Sequence, residues 1–152
     1  MRKRTFLATA AAAVAVGGIG AYSAVAGDGS GGRTFTVHER GTGIAFVPAA
    51  TSTSPPLGDV FVLSADILDD SGGVIGRDGG SCTTVSQDGT VNCTISVRLP
   101  GGELTVQGLG NGPDNVFAIT GGTGIYRNAR GEAHAVDTSP LTSNVTISLI
   151  GG

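Results

Sequence analysis

The sequence predicts an all-β fold, an eight-stranded antiparallel up-and-down β-barrel, on three observations. About eight short segments between residues 33 and 150 are rich in Val, Ile and Thr or alternate apolar with polar residues. Turn signals rich in Gly, Asp, Asn and Pro separate them every 8–15 residues. No stretch carries the apolar period of an amphipathic helix of useful length. Short loops between consecutive segments favour antiparallel hairpins over parallel crossovers. Strand number and hairpin connectivity then favour a closed barrel over the main alternative, a two-sheet sandwich.

Arg33 to Arg40 alternates, with Phe35, Val37 and Glu39 on one face and Thr34, Thr36 and His38 on the other. Gly41-Thr42-Gly43 marks a bulge, and Ile44 to Val47 resumes the strand. Pro48 to Leu57 is the longest loop, and the adjacent Pro55 and Pro56 exclude helix and favour a semi-rigid flap. Asp59 to Leu68 is apolar on both parities, which predicts a strand covered on both faces. Asp69 to Gly73 is a turn, and Val74–Ser86 with Thr90–Leu99 makes a hairpin about Asp88-Gly89. Pro100-Gly101-Gly102 leads into Glu103–Leu109, and Gly110 to Pro113 leads into Asn115–Thr120. After the glycine-rich run 121–131, Glu132–Asp137 and Asn144–Ile150 supply the last two strands.

Asp88-Gly89 is the turn signal, and folding the segment about Gln87-Asp88 places Cys82 opposite Cys93, the only two cysteines, so a structural cross-strand disulfide is expected. Closing so short a loop stabilises by about 2–3 kcal/mol in the chain-entropy model. Two cysteines without a third or fourth ligand nearby make no metal cage, and no metal site is expected.

Arg2, Lys3 and Arg4, an Ala/Val/Gly-rich stretch to Gly20, and Ala24-Val25-Ala26 follow the order of a secretory signal peptide. The apolar stretch is too short and too rich in Ala and Gly for a retained span. Residues 1–26 are therefore expected to be removed, leaving a flexible Gly/Ser tether (27–32) and one barrel domain (33–152) that is secreted and extracellular. Lys3-Arg4 falls short of a twin-arginine pair, which favours general secretion, and no Cys stands at the cleavage site to anchor a lipid. Beyond residue 26 there are six Arg, no Lys and twelve Asp and Glu, a formal charge of −6. So acidic a domain is a poor ligand for nucleic acid or anionic membranes.

Glu39 is the leading candidate for chemistry. Its parity with Phe35 and Val37 projects it into the barrel, where apolar surroundings raise a carboxyl pKa and suit acid/base work; an earlier start to the bulge would turn it outward. Asp59 shares parity with Phe61 and Leu63 near one mouth, and is either a site carboxylate or a strand-start turn residue. His38 and His134 lack a Ser or Cys nucleophile partner, so no triad is supported. Asp66, Asp69, Asp70 and Asp78 lack the spacing of a calcium loop and are expected to be turn formers.

Gly121-Gly122-Thr123-Gly124-Ile125-Tyr126-Arg127-Asn128-Ala129-Arg130-Gly131 lacks the Gly-Lys-Ser/Thr and the helix of a phosphate loop. It is a tight corner, with Tyr126 and Ala129 on one face of a helical turn. Preceded by Phe117-Ala118-Ile119-Thr120, it resembles the hallmark of dirigent-like and allene oxide cyclase-like barrels, with Gly58-Asp59, Asp69 to Gly76 and Leu99 to Gly108 fitting the same order. The resemblance implies an eight-stranded barrel with an apolar cavity, often a homotrimer, with no metal or redox cofactor. In plant relatives the cavity steers a reactive small molecule to one stereochemical outcome. Arg130 matches the Arg of the dirigent Ala-Arg-Gly run, and either pairs with a site carboxylate or holds the corner. Two functions follow: a cofactor-free cyclase or coupling guide for a small apolar molecule, using Glu39, Asp59 and Arg130, or a non-catalytic secreted binding or structural barrel.

Overall fold

A computed structural model describes residues 32–50 and 57–150, together with the backbone of Val25 and Ala26. Of the expected signal peptide and tether, only Val25, Ala26 and Gly32 fall within the described residues. The two-residue strand β1 (Val25–Ala26) pairs with Arg33 and Thr34 at the start of the barrel. Eight antiparallel strands follow: β2 (Arg33–Val47), β3 (Val60–Leu68), β4 (Val74–Thr84), β5 (Val91–Leu99), β6 (Gly102–Gly110), β7 (Asp114–Gly122), β8 (Arg130–Ser139) and β9 (Thr142–Ile150). Each pairs with its neighbour in sequence, and β2 pairs with β9, so the sheet closes on itself. The expected up-and-down barrel is present, and its closure removes the edges that a sandwich would leave.

Alternation along the strands decides what faces inward. Phe35 and Val37 on β2, Ala65 and Ile67 on β3, Val97 and Leu99 on β5, Leu104 and Val106 on β6, Phe117 and Ile119 on β7, and Val145 and Ile147 on β9 are all buried. The register of β2 against β3 slips between Gly41 and Gly43, at the predicted bulge. Beyond that slip β2 leaves β9, whose last partner is Arg40, and continues against β3 alone.

The second apolar parity of β3 is not covered by this chain. Val62 is 46% exposed, while Val60 and Leu68 are only half-buried. In a single-layered barrel the outer face of a strand has nothing to pack against, however apolar its residues.

Connections alternate between two ends. The 69–73, 100–101 and 123–129 connections lie at one end, which a single 3₁₀ turn (Gly124–Tyr126) closes with buried Tyr126 and Ala129. The glycines of this corner are required by geometry. Gly124 has φ +60°, and a Cβ there would strike the Gly101 carbonyl oxygen. At the other end stand the Pro-rich loop, the 85–90 turn, the 111–113 turn and the 140–141 turn. Among the described residues no helix is long and apolar enough to cross a membrane.

Candidate functional site

The inner half facing that second end is hollow, with a cavity of about 280 Å³. Most of its wall is apolar, from residues such as Val37, Leu63, Ile95, Val106, Phe117 and Val145. Cys82 and Cys93, paired in register across β4 and β5 and bonded to each other, form part of it. Small residues on the inward parity create the space: Ala133 and Ala135 on β8, and Gly108 on β6, whose absent Cβ lets the Phe117 ring lie within 3.0 Å of where it would stand. The closed end is filled instead by Ile67, Leu99, Leu104, Ile119, Tyr126 and Ala129, none of which reaches the cavity.

Among the described residues five polar side chains reach the wall: Glu39, Asp78, Asn115, Asp137 and Ser143. Glu39 projects inward two residues beyond Val37, as its parity predicts, and its strand partners are Ser143 on β9 and Ile67 on β3. Asp78 enters from β4, opposite Ala65 and Val97, and is only 8% exposed. The two carboxyl groups form a hydrogen-bonded pair. Burial, then the charge and hydrogen bond of Asp78, then the charge of Asp137, push the Glu39 pKa up to about 8. Burial also raises Asp78, with its hydrogen bonds to Glu39 and to the Ala65 N–H opposing the shift. Both shifts favour the protonated form, so the pair resists carrying two negative charges near neutral pH. The buried Asp78 Oδ1 meets no donor among the described residues. Asp137 is exposed at the mouth, where its Oδ1 accepts the Ser143 hydroxyl at 2.7 Å.

Asp59 and Arg130 lie away from this constellation. Asp59, 3% exposed, accepts the Ala49 N–H at 2.6 Å through Oδ1, and its carbonyl accepts the Thr84 N–H at 2.8 Å. It ties the start of the long loop to β3 and β4. Arg130 is exposed at the closed end and donates to the Ala129 carbonyl at 2.7 Å, holding the corner rather than meeting a site carboxylate. His38 stands outside the barrel with Asn144 and Asp70, and His134 with Asp114. Asp69 accepts the Ser71 and Gly73 N–H groups as a turn former. Among the described residues no three His, Cys, Asp or Glu side chains gather as a metal cluster.

Asp78 and Asp137 have no site role in the sequence reading. Asp78 sits in Asp-Gly-Gly, which has the composition of a turn, yet it lies four residues before Cys82 and so shares its inward parity. Asp137 likewise shares parity with Ala133 and Ala135.

Comparison with known proteins agrees with this geometry. The family model for the allene oxide cyclase barrel-like domain matches residues 34–149. Among solved structures, a pyocyanin demethylase superposes with TM-score 0.64 at 25% identity, covering 76% of this chain and 98% of its own. The pterocarpan synthase dirigent protein PsPTS1 superposes at 0.63 and 21% identity, covering 79% and 94%. AbnU, an exo-specific intermolecular Diels-Alderase, does so at 0.63 and 16%, covering 78% and 97%. The last two likenesses are of fold alone. No curated protein matches in sequence. With its closed barrel, its glycine corner and a family match running from β2 to β9, the chain belongs to the allene oxide cyclase-like, dirigent-like barrel family.

Proposed function

We propose that this chain is a secreted barrel that binds a small, largely apolar molecule in its cavity and exchanges a proton with it through the Glu39–Asp78 pair, guiding its cyclisation or coupling without a cofactor. The observation that carries this reading is the acid pair itself: two carboxyl groups at the wall of a largely apolar cavity, both with raised pKa. A carboxyl poised there can give a proton to a bound molecule and take one back at working pH. The cavity volume is near the lower edge of the roughly 300–1,000 Å³ usual for small-molecule sites, and its walls would hold a flexible molecule in one shape. A solved structure 25% identical over the barrel is a pyocyanin demethylase by name, which supports a barrel that handles small molecules. Asp59 and Arg130 are left to hold the loop and the corner.

The test is native mass spectrometry of the protein isolated from its producing organism. One small organic molecule per barrel is expected, absent from an Ala135→Phe variant whose new ring fills the cavity. An empty wild-type barrel would end the ligand-binding reading. If the recovered molecule is turned over at the same rate by wild type and Glu39→Gln, the barrel is a binder without proton chemistry.

A further inference from the structure

We propose that the occupant of this cavity is a compact hydrophobic amine in its protonated form, its ammonium group donating to the Asp78 carboxylate. The proposal rests on the reading of the barrel as a ligand cavity and goes on to name the chemistry it selects.

The polar groups of the wall are mostly acceptors, and their donors are largely engaged within the protein. Ser143 spends its hydroxyl proton on Asp137. The Asn115 amide donates to the Gly112 carbonyl at 2.8 Å, and its oxygen takes the Asn111 N–H. Glu39, Asp78 and Asp137 supply negative charge, and among the described residues no Lys, Arg or His lines the cavity. Five arginines are engaged elsewhere: Arg40 and Arg77 with Asp66, Arg98 with Glu103, Arg33 over the Phe35 ring, and Arg130 at the closed end. Asp78 Oδ1, more than nine-tenths buried, lacks a donor among the described residues. A buried acceptor left without a donor is costly, and a charge-assisted bond to a cation is the strongest remedy. A carboxylate ligand would meet only repulsion in this low-dielectric space. A neutral alcohol satisfies Asp78 without balancing the charge, whereas an ammonium group does both, and the apolar wall accepts the hydrocarbon frame.

The experiment compares three probes of one shape: 1-naphthylmethylamine, 1-naphthylmethanol and 1-naphthoate, titrated into the disulfide-bonded protein at neutral pH. The amine is expected to bind about ten-fold or more tightly than the alcohol, and the naphthoate more weakly than either. Asp78→Asn should bring the amine down to the level of the alcohol while leaving the alcohol nearly unchanged. Ala135→Phe should remove both. Should Asp78→Asn fail to fold, wild type serves by itself between about pH 6 and 8.5. As the Glu39–Asp78 pair deprotonates, opposed only by Asp137 and by no facing cation, amine affinity rises and alcohol affinity stays flat.

Alcohol or naphthoate binding as tight as the amine overturns the assignment of an amine and leaves the ligand cavity standing. Amine binding that survives Ala135→Phe, or that is flat with pH, overturns it as attraction to an acidic surface. If no probe binds wild type, the ligand cavity falls with it.

Discussion

Glu39 is carried inward by the simple alternation of β2, but its chemistry comes from what faces it. Alone in the cavity it would be a desolvated carboxyl; beside Asp78 and Asp137 its pKa rises further. Its folded pKa of about 8 lies above the ordinary value of 4.5, so between those limits the folded state binds a proton that the unfolded chain has lost. Stability contributed by that proton is fully present below about pH 4.5 and is lost as pH rises through about 8; the raised pKa of Asp78 acts in the same direction. Glu39→Gln removes the Glu39 share of the dependence. Urea unfolding should show the variant more stable than wild type by about 1–3 kcal/mol at pH 8 and no gain at pH 4.5. An equal gain at both would mean that Glu39 titrates normally. Asp59 is expected to behave as a structural residue. Asp59→Ala should cost about 1–3 kcal/mol by leaving the Ala49 N–H without its partner, yet leave binding in the cavity close to wild type, measured with the same probes. At this scale the sequence revealed one half of the acid pair. Glu39 stood out because its neighbours Phe35 and Val37 marked the inward face. Asp78 did not, because glycines flank it on the C-terminal side and resemble a turn, and only the parity fixed by Cys82 points inward.

Among the elements, the β4–β5 hairpin and the glycine corner were the most legible, for opposite reasons. The hairpin is local: Asp88 accepts the Thr90 N–H at 2.9 Å, Gly89 takes φ +90°, and the cysteines then fall opposite each other. Strand β3 was misread on one face because apolarity on both parities signals two covered faces only where a second layer exists. Its Val62 lies on the outside of a one-layer wall. The Cys82→Ala/Cys93→Ala double variant should unfold about 2–3 kcal/mol more easily, read by denaturant titration without reductant. The corner is stricter. Gly131 has φ +146°, and a Cβ there would collide with the Ser148 carbonyl oxygen of the partner strand. Gly131→Ala is therefore expected to cost about 2–4 kcal/mol, more than an ordinary strand substitution, because neither the backbone angle nor the β8–β9 ladder can give way. A thermal midpoint close to wild type would show that the corner relaxes.

For the molecule as a whole, closure by β2 and β9 makes the barrel self-sufficient from Arg33 onward. Phe35 to Arg40 are held by Ile147 to Thr142, and Arg33 and Thr34 already pair with Leu149 and Ser148. The two residues of β1 only add to the far side of Arg33 and Thr34, outside the closed ring. They also belong to the segment expected to be cleaved, together with the single Lys and two of the eight Arg of the chain. A protein beginning at Gly27 should therefore keep the barrel and its cavity while its formal charge moves from −3 to −6. The β2–β3 pairing and the long-range β2–β9 pairing depend on residues from 33 on, so removal of the leader leaves every barrel ladder intact. The expectation is that the Gly27–Gly152 protein gives the same far-UV circular dichroism as the full chain and a thermal midpoint within about 2 °C of it, since loss of one two-residue pairing outside the closed ring is worth under about 1 kcal/mol. A much lower midpoint would assign β1 to the folded barrel and count against cleavage after Ala26.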